Sequence, residues 1–352
     1  MRIPRPEHPR PQMVREKWLN LNGTWEFECD FGKSGKERGV PRKERLDKEI
    51  VVPFCPESEL SGIGYKDFIN AVWYKRAFRI PGAWGKRGVL LHFEAVDYDC
   101  DIWVNGEHVG SHKGGYTPFS FDVTRCITDG ENTVVVYAED DTRTGLQPCG
   151  KQSKRYLSEG CDYTRVTGIW QTVWLESVPE AYVKSYKVIP DVENSKADIT
   201  LEVSGAGAAE LTAVYDGRTV GAASVKTAGG TVNVSVPLSE LHLWQPRNAA
   251  LYDLEIRFGD DCVKGYFGMR TLRLTENCVL INEKPVFQRL ALDQGYYPDG
   301  IYTAPNDAAL VKDIELSLAL GFNGARLHEK VFERRFLYHA DRMGYLVWGE
   351  YG

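Results

Sequence analysis

Long apolar segments are absent from this sequence of 352 residues. No apolar run approaches the ~18 residues that a transmembrane helix needs, so we expect no membrane partner. The first residues, Met1 to Pro11, contain no apolar stretch of the kind found in signal peptides, which predicts a cytoplasmic protein. The net charge of -6 is spread along the chain without a basic stripe, and this argues against nucleic acid as a partner.

Paired cysteine motifs are also absent. The eight cysteines form no Cys-x-x-Cys pair and show no spacing typical of a metal site. We therefore predict reduced thiols, no metal site and no cofactor. The length suits two or three domains of roughly 100–200 residues each.

Short apolar or alternating segments fill the first half of the chain. The clearest lie at positions 23–28, 72–80, 89–93, 100–104, 133–138 and 171–175. Turn residues separate them, including Asn105-Gly106, a pair typical of tight hairpins. Many short strands with no helix between them predict a jelly-roll β-sandwich over residues 1–179.

A second, smaller β unit is predicted over residues 180–272. Its strand-like segments lie at 199–203, 211–215, 231–236 and 252–258. Their spacing fits an immunoglobulin-like β-sandwich of ~100 residues. The Cys…Trp…Cys pattern of antibody domains is missing, which excludes that subclass only.

The hydrophobic period changes in the last part, residues 273–352. A hairpin at 279–286 precedes a strand at 287–292, a helix at 308–320, a strand at 322–327, a helix at about 331–343 and a strand at 345–349. Asn306 or Asp307 can cap the first helix, and Gly321 can end it. Alternating strands and helices predict a parallel sheet. This length is too short for an eight-stranded (β/α)8 TIM barrel of ~250 residues, so we expect a truncated barrel that starts with its first three strands.

A family resemblance is carried by seven groups of residues in order along the chain. They are Val72–Phe78, Ala95–Tyr98 with Trp103–Gly106, Gly114–Thr124, Asp162–Leu175, Trp244–Pro246 with Leu251–Leu254 and Phe267–Arg270, Ile281–Pro285 with Gly321–Arg326, and Gly344–Glu350. The arrangement resembles glycoside hydrolase family 2, which contains β-galactosidases, β-glucuronidases and β-mannosidases. The resemblance implies a retaining β-glycosidase with a carbohydrate substrate.

Retaining hydrolysis needs two carboxyl groups ~5 Å apart. In the family these belong to glutamates on barrel strands four and seven, the first of them within an Asn-Glu pair. No Asn-Glu pair occurs between the third predicted strand and Gly352, and Asn282-Glu283 lies in the earlier hairpin. The resemblance therefore implies that the acid/base and the nucleophile lie beyond Gly352, and we expect the 352-residue chain to be inactive.

Four substrate-binding candidates lie at the carboxyl ends of the predicted barrel strands, where barrel sites form: Asp293, Arg326, His328 and Glu350. Arg326 matches the strand-two arginine of the family, and Glu350 matches its acidic residue after strand three. The family's Arg-x-Ser-His is one residue longer than Arg326-Leu-His328. Leu292-Asp293-Gln294 stands where the family usually has Arg/His-His-Glu, so the resemblance does not identify which sugar is bound, galactose included.

Asp162 is a fifth substrate-binding candidate. In the family, the aspartate six residues before a Gly-Ile pair reaches from the first domain toward sugar hydroxyls, and Asp162 keeps that spacing to Gly168-Ile169. A carboxylate is a strong acceptor for hydroxyl donors. The alternative is that Asp162 caps a loop, as aspartate often does.

Each barrel candidate also has a purely structural interpretation. Arg326 can pair with Glu350 or Glu329, His328 can bond to backbone, Asp293 can form a turn and Glu350 can be a solvated residue.

For the whole chain, the alternative to a glycosidase is a non-catalytic carbohydrate-binding or scaffold module. The unpaired edge of the third barrel strand further predicts one of three outcomes for residues 286–352: pairing with another copy across that edge, which gives a homo-oligomer, poor order, or completion by a further part of the chain.

Overall fold

The computed structural model describes residues 3–85 and 87–352. Strands make up 44% of the chain and helices 9%. The fold is therefore mainly β, with two sandwiches of sheets followed by a small α/β unit, which confirms the predicted class at this level. Within the described part, no helix is both long and apolar enough to cross a membrane. Positions 1, 2 and 86 of the predicted jelly-roll domain lie outside the described residues.

The first sandwich is formed by the strands that precede residue 179. They are β1 (Trp18–Asn20), β2 (Gly23–Cys29), β3 (Lys48–Val52), β4 (Ala71–Phe78), β5 (Gly88–Phe93), β6 (Val96–Asp97), β7 (Asp99–Val104), β8 (Glu107–Lys113), β9 (Phe119–Asp122), β10 (Asn132–Glu139), β11 (Gly168–Ile169) and β12 (Val173–Val178). A six-stranded sheet has the order β3-β2-β4-β10-β7-β8, and a four-stranded sheet has the order β1-β12-β5-β9. Three single-turn 3-10 helices, Val40–Arg42, Gly82–Trp84 and Thr124–Cys126, lie between the strands.

The alternation of side chains along β4 shows why these residues form a layered structure. Val72 and Tyr74 are buried in the core between the two sheets, together with Leu91 of β5. Trp73, which lies between them in sequence, points to the other face and packs against Tyr137. Each buried side chain of this size stabilises the fold by roughly 1.5–3 kcal/mol, so both faces of the six-stranded sheet contribute.

The second sandwich contains seven antiparallel strands. They are β13 (Tyr182–Asp191), β14 (Lys196–Ser204), β15 (Gly207–Tyr215), β16 (Arg218–Thr227), β17 (Gly230–Pro237), β18 (Tyr252–Phe258) and β19 (Asp261–Phe267). The order β13-β14-β17 forms one sheet and the order β16-β15-β18-β19 forms the other. Each of the four segments predicted here as strands lies within one of these strands.

The α/β unit follows. Its elements are β20 (Leu272–Leu274), β21 (Val279–Ile281), β22 (Lys284–Pro285), β23 (Leu290–Asp293), α1 (Asp307–Ala319), β24 (Gly324–Leu327), α2 (Arg334–Met343) and β25 (Leu346–Gly349). The first three strands form a small antiparallel sheet, and β23, β24 and β25 form a parallel sheet in chain order. That this sheet begins a TIM barrel remains a prediction.

Both helices of the α/β unit confirm the sequence signals at their ends. Asn306 caps α1, because its side chain accepts a hydrogen bond of 3.0 Å from the amide of Ala309. Gly344 ends α2 in the left-handed conformation that favours glycine. The buried faces of the helices, which include Leu310 and Phe336, cover one side of the parallel sheet.

The first parallel strand begins three residues later than the sequence predicted. The side chain of Asn323 donates to the carbonyl of Phe287 (2.9 Å) and accepts from the amide of Arg289 (2.9 Å). These bonds satisfy the backbone where a strand ladder would otherwise do so. Phe287 therefore lies outside the sheet, with 79% of its surface exposed.

Residues 5–15 form an N-terminal arm that contacts all three units. Arg5 pairs with Glu333 of the α/β unit (2.6 Å), and Gln12 donates to the carbonyl of Arg334 (2.9 Å). Arg15 is buried between Glu176 of the first sandwich (2.9 Å) and Asp261 of the second (2.8 Å). The arm thus connects parts of the chain that are distant in sequence.

Candidate functional site

The carboxyl edge of the parallel sheet is the side on which β23, β24 and β25 end. The ladder pairs Asp293 with Leu327 and Leu327 with Gly349, so the three strands end level with one another. The amide of His328 continues the ladder by donating to the carbonyl of Asp293 (2.7 Å). Residues that follow the strands are therefore brought to one edge, as the sequence predicted.

Arg326 and Glu350 form an ion pair at this edge. The Nε of Arg326 donates to Oε1 of Glu350, and Oε2 of Glu350 accepts from the amide of Glu329 (3.2 Å). The hydrogen bond from Arg326 lowers the pKa of Glu350 below its ordinary value, so the carboxylate is ionised at neutral pH. The pair matches the structural alternative for Arg326, yet half of the arginine side chain remains exposed (50%) and available for further hydrogen bonds.

His328 contacts side chains of the same edge. Its Nδ1 lies 3.2 Å from Nε2 of Gln294, and its Nε2 lies 3.6 Å from a carboxylate oxygen of Glu329. Only 15% of the histidine side chain is exposed. The ring is therefore held in place by neighbours from two loops.

Asp293 has a local structural role. Its carboxylate accepts a hydrogen bond of 2.8 Å from the amide of Gly295, which lies two residues later in a left-handed turn. Burial raises the pKa of Asp293 above its ordinary value. These contacts are those of the turn former considered as the alternative for this residue.

Lys330 is a buried cation that sequence reasoning missed. Its ammonium donates to the carbonyls of Gly295 (2.5 Å) and Tyr302 (2.9 Å), and it lies 5.2 Å from the ring centre of Trp170 in the first sandwich. Burial lowers its pKa to about 8. A lysine that follows a strand normally indicates a solvated loop, so no sequence signal distinguished it.

A loop of the first sandwich, residues 149–163, lies against the carboxyl edge and is called the first-domain loop below. The ammonium of Lys151 lies 3.5 Å from Glu329, and the ring of Tyr163 stacks on that of Tyr296 with centres 4.3 Å apart. A side chain at Gly150 would place its Cβ 2.3 Å from the carbonyl oxygen of Glu329, so only glycine permits this close approach.

Asp162 belongs to the first-domain loop. It is half-buried, and its amide donates to the carbonyl of Glu159 (3.0 Å) in a tight turn. Lys151 of the same loop lies 3.7 Å from the sulfur of the adjacent Cys161. The structure thus brings the loop of Asp162 to the edge, and the expectation that its carboxylate faces Arg326 and Glu350 remains a prediction.

Gly352, the residue beyond which the catalytic carboxylates are expected, lies against the first sandwich. A Cβ at this position would lie 2.5 Å from the ring of Tyr116, and the hydroxyl of Tyr116 lies 3.3 Å from that of Tyr302. The backbone that leaves β25 therefore passes beside the first sandwich at the carboxyl edge. The expectation that the acid/base and the nucleophile lie beyond Gly352 is not tested by these contacts and stays a prediction.

Three buried acids lie beneath the first-domain loop. Thr167, just after the loop, donates its amide to Glu57 (3.2 Å). Gln152 in the loop donates to Asp97 (2.7 Å), and Gln147 donates to Asp140 (2.6 Å). Burial raises the pKa values of all three acids, and it brings those of Glu57 and Asp140 to about 7. The loop and the segments on either side of it are therefore anchored on carboxyl groups that hold their protons unusually strongly.

Metal-binding geometry is not found among the described residues, since no group of three or more histidine, cysteine, aspartate or glutamate side chains there could hold an ion. Two carboxyl groups at the carboxyl edge, those of Asp293 and Glu350, are already engaged by a backbone amide and by Arg326. A third carboxyl group at the edge, that of Glu329, lies 3.5 Å from the ammonium of Lys151.

Two family models match the sandwich domains of this chain. The model described as "Glycosyl hydrolases family 2, sugar binding domain" matches residues 63–179, and the model "Glycosyl hydrolases family 2" matches residues 181–270. Together they match more than half of the chain.

Curated relatives match over nearly the whole chain. A β-glucuronidase of Sus scrofa is 26% identical over 383 residues, and the match covers 97% of this chain and 57% of the relative. A β-galactosidase of Thermoanaerobacter pseudethanolicus is 28% identical over 304 residues, covering 81% of this chain and 40% of the relative. The chain thus spans little more than half the length of the curated β-glucuronidase that it matches.

Solved structures show the same fold. The β-glucuronidase of Lactobacillus rhamnosus superposes with a TM-score of 0.81 at 25% identity, covering 96% of this chain and 59% of the other. The β-glucuronidase of Ruminococcus gnavus, solved in complex with D-glucuronic acid, also gives a TM-score of 0.81, at 22% identity, with coverage of 100% and 62%.

Proposed function

Because this chain belongs to glycosyl hydrolases family 2, we propose that it is the substrate-recognising part of a retaining β-glycosidase that cleaves O-glycosyl bonds in β-glucuronides or β-galactosides. The observation that carries the proposal is the contact between the first-domain loop and the carboxyl edge through Lys151 and Glu329. The first sandwich and the α/β unit thus contact each other at the carboxyl edge, where the polar candidate residues lie.

The residues of this edge have the chemistry needed to hold a sugar. The exposed guanidinium of Arg326 supplies donors for sugar oxygens, and Glu350 and Asp162 supply carboxylate acceptors for hydroxyl groups. Asp293 fixes the turn that follows the first strand, and His328 positions Glu329. We propose that these five residues bind or frame the substrate.

We further propose that the acid/base and the nucleophile lie beyond Gly352. A retaining reaction needs two carboxyl groups ~5 Å apart, one to protonate the leaving oxygen and one to attack the anomeric carbon. Glu350 is bound to Arg326 and Asp293 to the amide of Gly295, so neither is free for these steps. The division into domains 1–179, 180–272 and 273–352, the last as the start of a (β/α)8 barrel, belongs to the same proposal.

With the purified 352-residue chain, 4-nitrophenyl β-D-glucuronide and 4-nitrophenyl β-D-galactoside should be hydrolysed no faster than in buffer alone. The physical reason is that the acid/base and the nucleophile are proposed to lie beyond Gly352, while Asp293 and Glu350 are engaged by other groups. Absorbance of released 4-nitrophenolate measures the rate, and a Glu350→Gln variant is the control. Turnover that disappears in Glu350→Gln would make Glu350 a catalyst and refute the assignment.

A non-catalytic carbohydrate-binding or scaffold module is the second candidate, favoured by the engaged state of the carboxylates of Asp293 and Glu350. The reading frame of the source gene distinguishes the two. An Asn-Glu pair after a further apolar strand beyond codon 352 supports the hydrolase, and a stop codon at that point supports the module.

We also propose that the cytoplasm is the location of the protein, since all eight cysteines are unpaired.

The outer strands of the parallel sheet, β23 and β25, each pair with β24 alone, and Leu292 and Trp348 are 59% and 54% exposed. We expect a second copy to cover this apolar surface in the 352-residue chain.

Light scattering should therefore give a mass about twice that of one chain, whose mass is 39.7 kDa. Trp348→Ser should shift the mass toward the monomer because it removes apolar area from the surface, whereas Leu146→Ser, at an exposed site of the first sandwich, should not. A monomer at all concentrations would refute this assembly.

A further inference from the structure

A cavity of about 600 Å³ lies where the N-terminal arm, the second sandwich and helix α2 meet, and it is called the junction cavity below. None of the five candidate substrate residues lines it. Its volume lies within the ~300–1,000 Å³ typical of small-molecule sites, which often form between domains. It is therefore a potential binding site separate from the carboxyl edge.

The walls of the junction cavity are mostly apolar and are fixed by hydrogen bonds between units. Its apolar lining includes Met13, Tyr186, Leu251, Phe267 and Leu337. The hydroxyl of Tyr266 donates to the carboxylate of Asp341 on α2 (2.9 Å), and the indole of Trp244 donates to the carbonyl of Asp341 (2.7 Å). These bonds hold the second sandwich and α2 together around the space, so the cavity is preformed.

The charge of the lining is predominantly positive. Four basic residues line the cavity, against Asp341 as the single acid: Arg10, Lys184, Arg270 and Arg334. Arg10 pairs with the buried Glu176 at 3.0 Å, and Arg334 lies 3.7 Å from Glu94. These two cations already have partners in the first sandwich.

Lys184 and Arg270 are different. Both are exposed, and neither has a carboxylate within ion-pair distance in the described part of the chain. The guanidinium of Arg270 lies over the ring of Trp244, 4.7 Å from its centre, which fixes its position, and its charge favours the ionised form of Asp341 in the same cavity. Two cations that form no close ion pair beside an apolar cavity favour an anionic ligand.

The N-terminal arm adds one polar position. Gln12 lines the cavity, and its side-chain nitrogen donates to the carbonyl of Arg334 (2.9 Å). Its Oε1 is buried and accepts no hydrogen bond from any described residue. The hydrogen bond to Arg334 fixes this side chain as part of the cavity wall.

We propose that the junction cavity binds a small organic anion with a flat, ring-sized apolar body, its charge held by Lys184 and Arg270. The apolar body fills the space between Tyr186 and Leu337. The ligand thus contacts the second sandwich and α2 at once. This site goes beyond the proposed glycosidase and does not depend on it.

Titration calorimetry of the 352-residue chain with 6-hydroxy-2-naphthoate tests the proposal, and the neutral 6-hydroxy-2-naphthamide is the matched probe. We expect the acid to bind roughly tenfold more tightly than the amide, since a charged hydrogen bond is worth about this factor. Arg270→Gln and Lys184→Gln should each weaken binding of the acid by about 3- to 10-fold. Lys184 is exposed, so its variant tests the site even if Arg270→Gln folds poorly.

Two controls locate the binding. Lys187→Gln removes an exposed cation from the same strand, β13, but outside the cavity, and should leave the affinity unchanged. Phe287→Ser alters a second apolar cavity, next to Trp348, and should also have no effect. Equal affinities for acid and amide, loss of binding in Phe287→Ser, or no binding of the acid would each overturn the proposal. None of these results bears on hydrolysis at the carboxyl edge.

Discussion

Replacing Arg15 by alanine is expected to destabilise the protein by about 3–5 kcal/mol, because it leaves buried carboxylates without their counterion. Arg15 is 5% exposed and contacts Asp261 through two nitrogens, at 2.8 and 2.9 Å. It also lies 2.9 Å from Glu176, of which 1% is exposed. The same guanidinium therefore neutralises one acid in each sandwich.

Glu176 makes the effect larger than that of an ordinary ion pair. Burial opposes its ionisation, but the imidazole of His92, whose Nε2 lies 3.1 Å from Glu176, and the charges of Arg10 and Arg15 outweigh burial and hold the pKa of Glu176 far below its ordinary value. The carboxylate is thus ionised in the folded state at every pH used for purification. Loss of Arg15 removes part of that stabilisation while the charge stays buried.

Urea denaturation followed by fluorescence measures the change in midpoint. Arg257→Ala is the matched control, because Arg257 forms a 2.6 Å pair with Glu255 on an exposed strand face and such pairs contribute about 0–1 kcal/mol. Arg15→Lys keeps the charge but loses the two-pronged contact, so its midpoint should lie between those of the wild type and Arg15→Ala. An Arg15→Ala midpoint equal to that of the control would show that the junction does not depend on this cation.

Glu57→Gln is expected to stabilise the protein at pH 8 by about 3 kcal/mol and to leave it nearly unchanged at pH 4.5. Glu57 is fully buried; it accepts one hydrogen bond from the amide of Thr167, and its Oε1 has no donor among the described residues. Burial raises its pKa from 4.5 to about 7. Glutamine has nearly the same shape and carries no charge.

The direction in which stability changes with pH follows from the protons bound in the folded and unfolded states. Between about pH 4.5 and pH 7 the folded protein keeps the proton of Glu57, whereas the unfolded chain has released it. The stability due to this group is therefore complete below pH 4.5, falls as the pH rises through 7 and stays low above that. Asp140 and Asp97, whose pKa values are also raised by burial, change stability in the same direction.

Thermal melts of the wild type, Glu57→Gln and Glu59→Gln at pH 4.5, 6 and 8 test this expectation. Glu59 is exposed two residues away, so its variant controls for the loss of one acid from the sequence. The wild type and Glu59→Gln should show the same fall in melting temperature with pH, and Glu57→Gln a clearly smaller one. An unchanged slope in Glu57→Gln would contradict the assignment.

The sequence signals were strongest where the local chemistry acts within a few residues. Asn306 and Gly344 mark helix ends through contacts with their own neighbours, so both helices of the α/β unit were predicted within a few residues. The start of β23 was misplaced because it depends on Asn323, which lies 34 residues after Arg289. A contact over that distance leaves no local pattern.

The candidate site shows the same division. Arg326, His328 and Glu350 could be placed at one edge from the sequence because parallel strands bring their carboxyl ends together, and their role as substrate-binding residues stays a prediction. Lys330 and Glu57 were missed because their character comes from burial by distant segments, among them Trp170 above Lys330 and Thr167 beside Glu57. In the sequence, each resembles an ordinary charged residue of a solvent-exposed loop.

The N-terminal arm has a consequence for the order in which the protein forms during synthesis. Arg5 and its partner Glu333 are 328 residues apart, and Arg15 and Asp261 are 246 residues apart. At roughly 5–20 residues per second, tens of seconds separate their appearance from the ribosome. The arm is thus translated well before its partners and is among the last segments to reach its final position, so the two sandwiches can fold before the arm connects them.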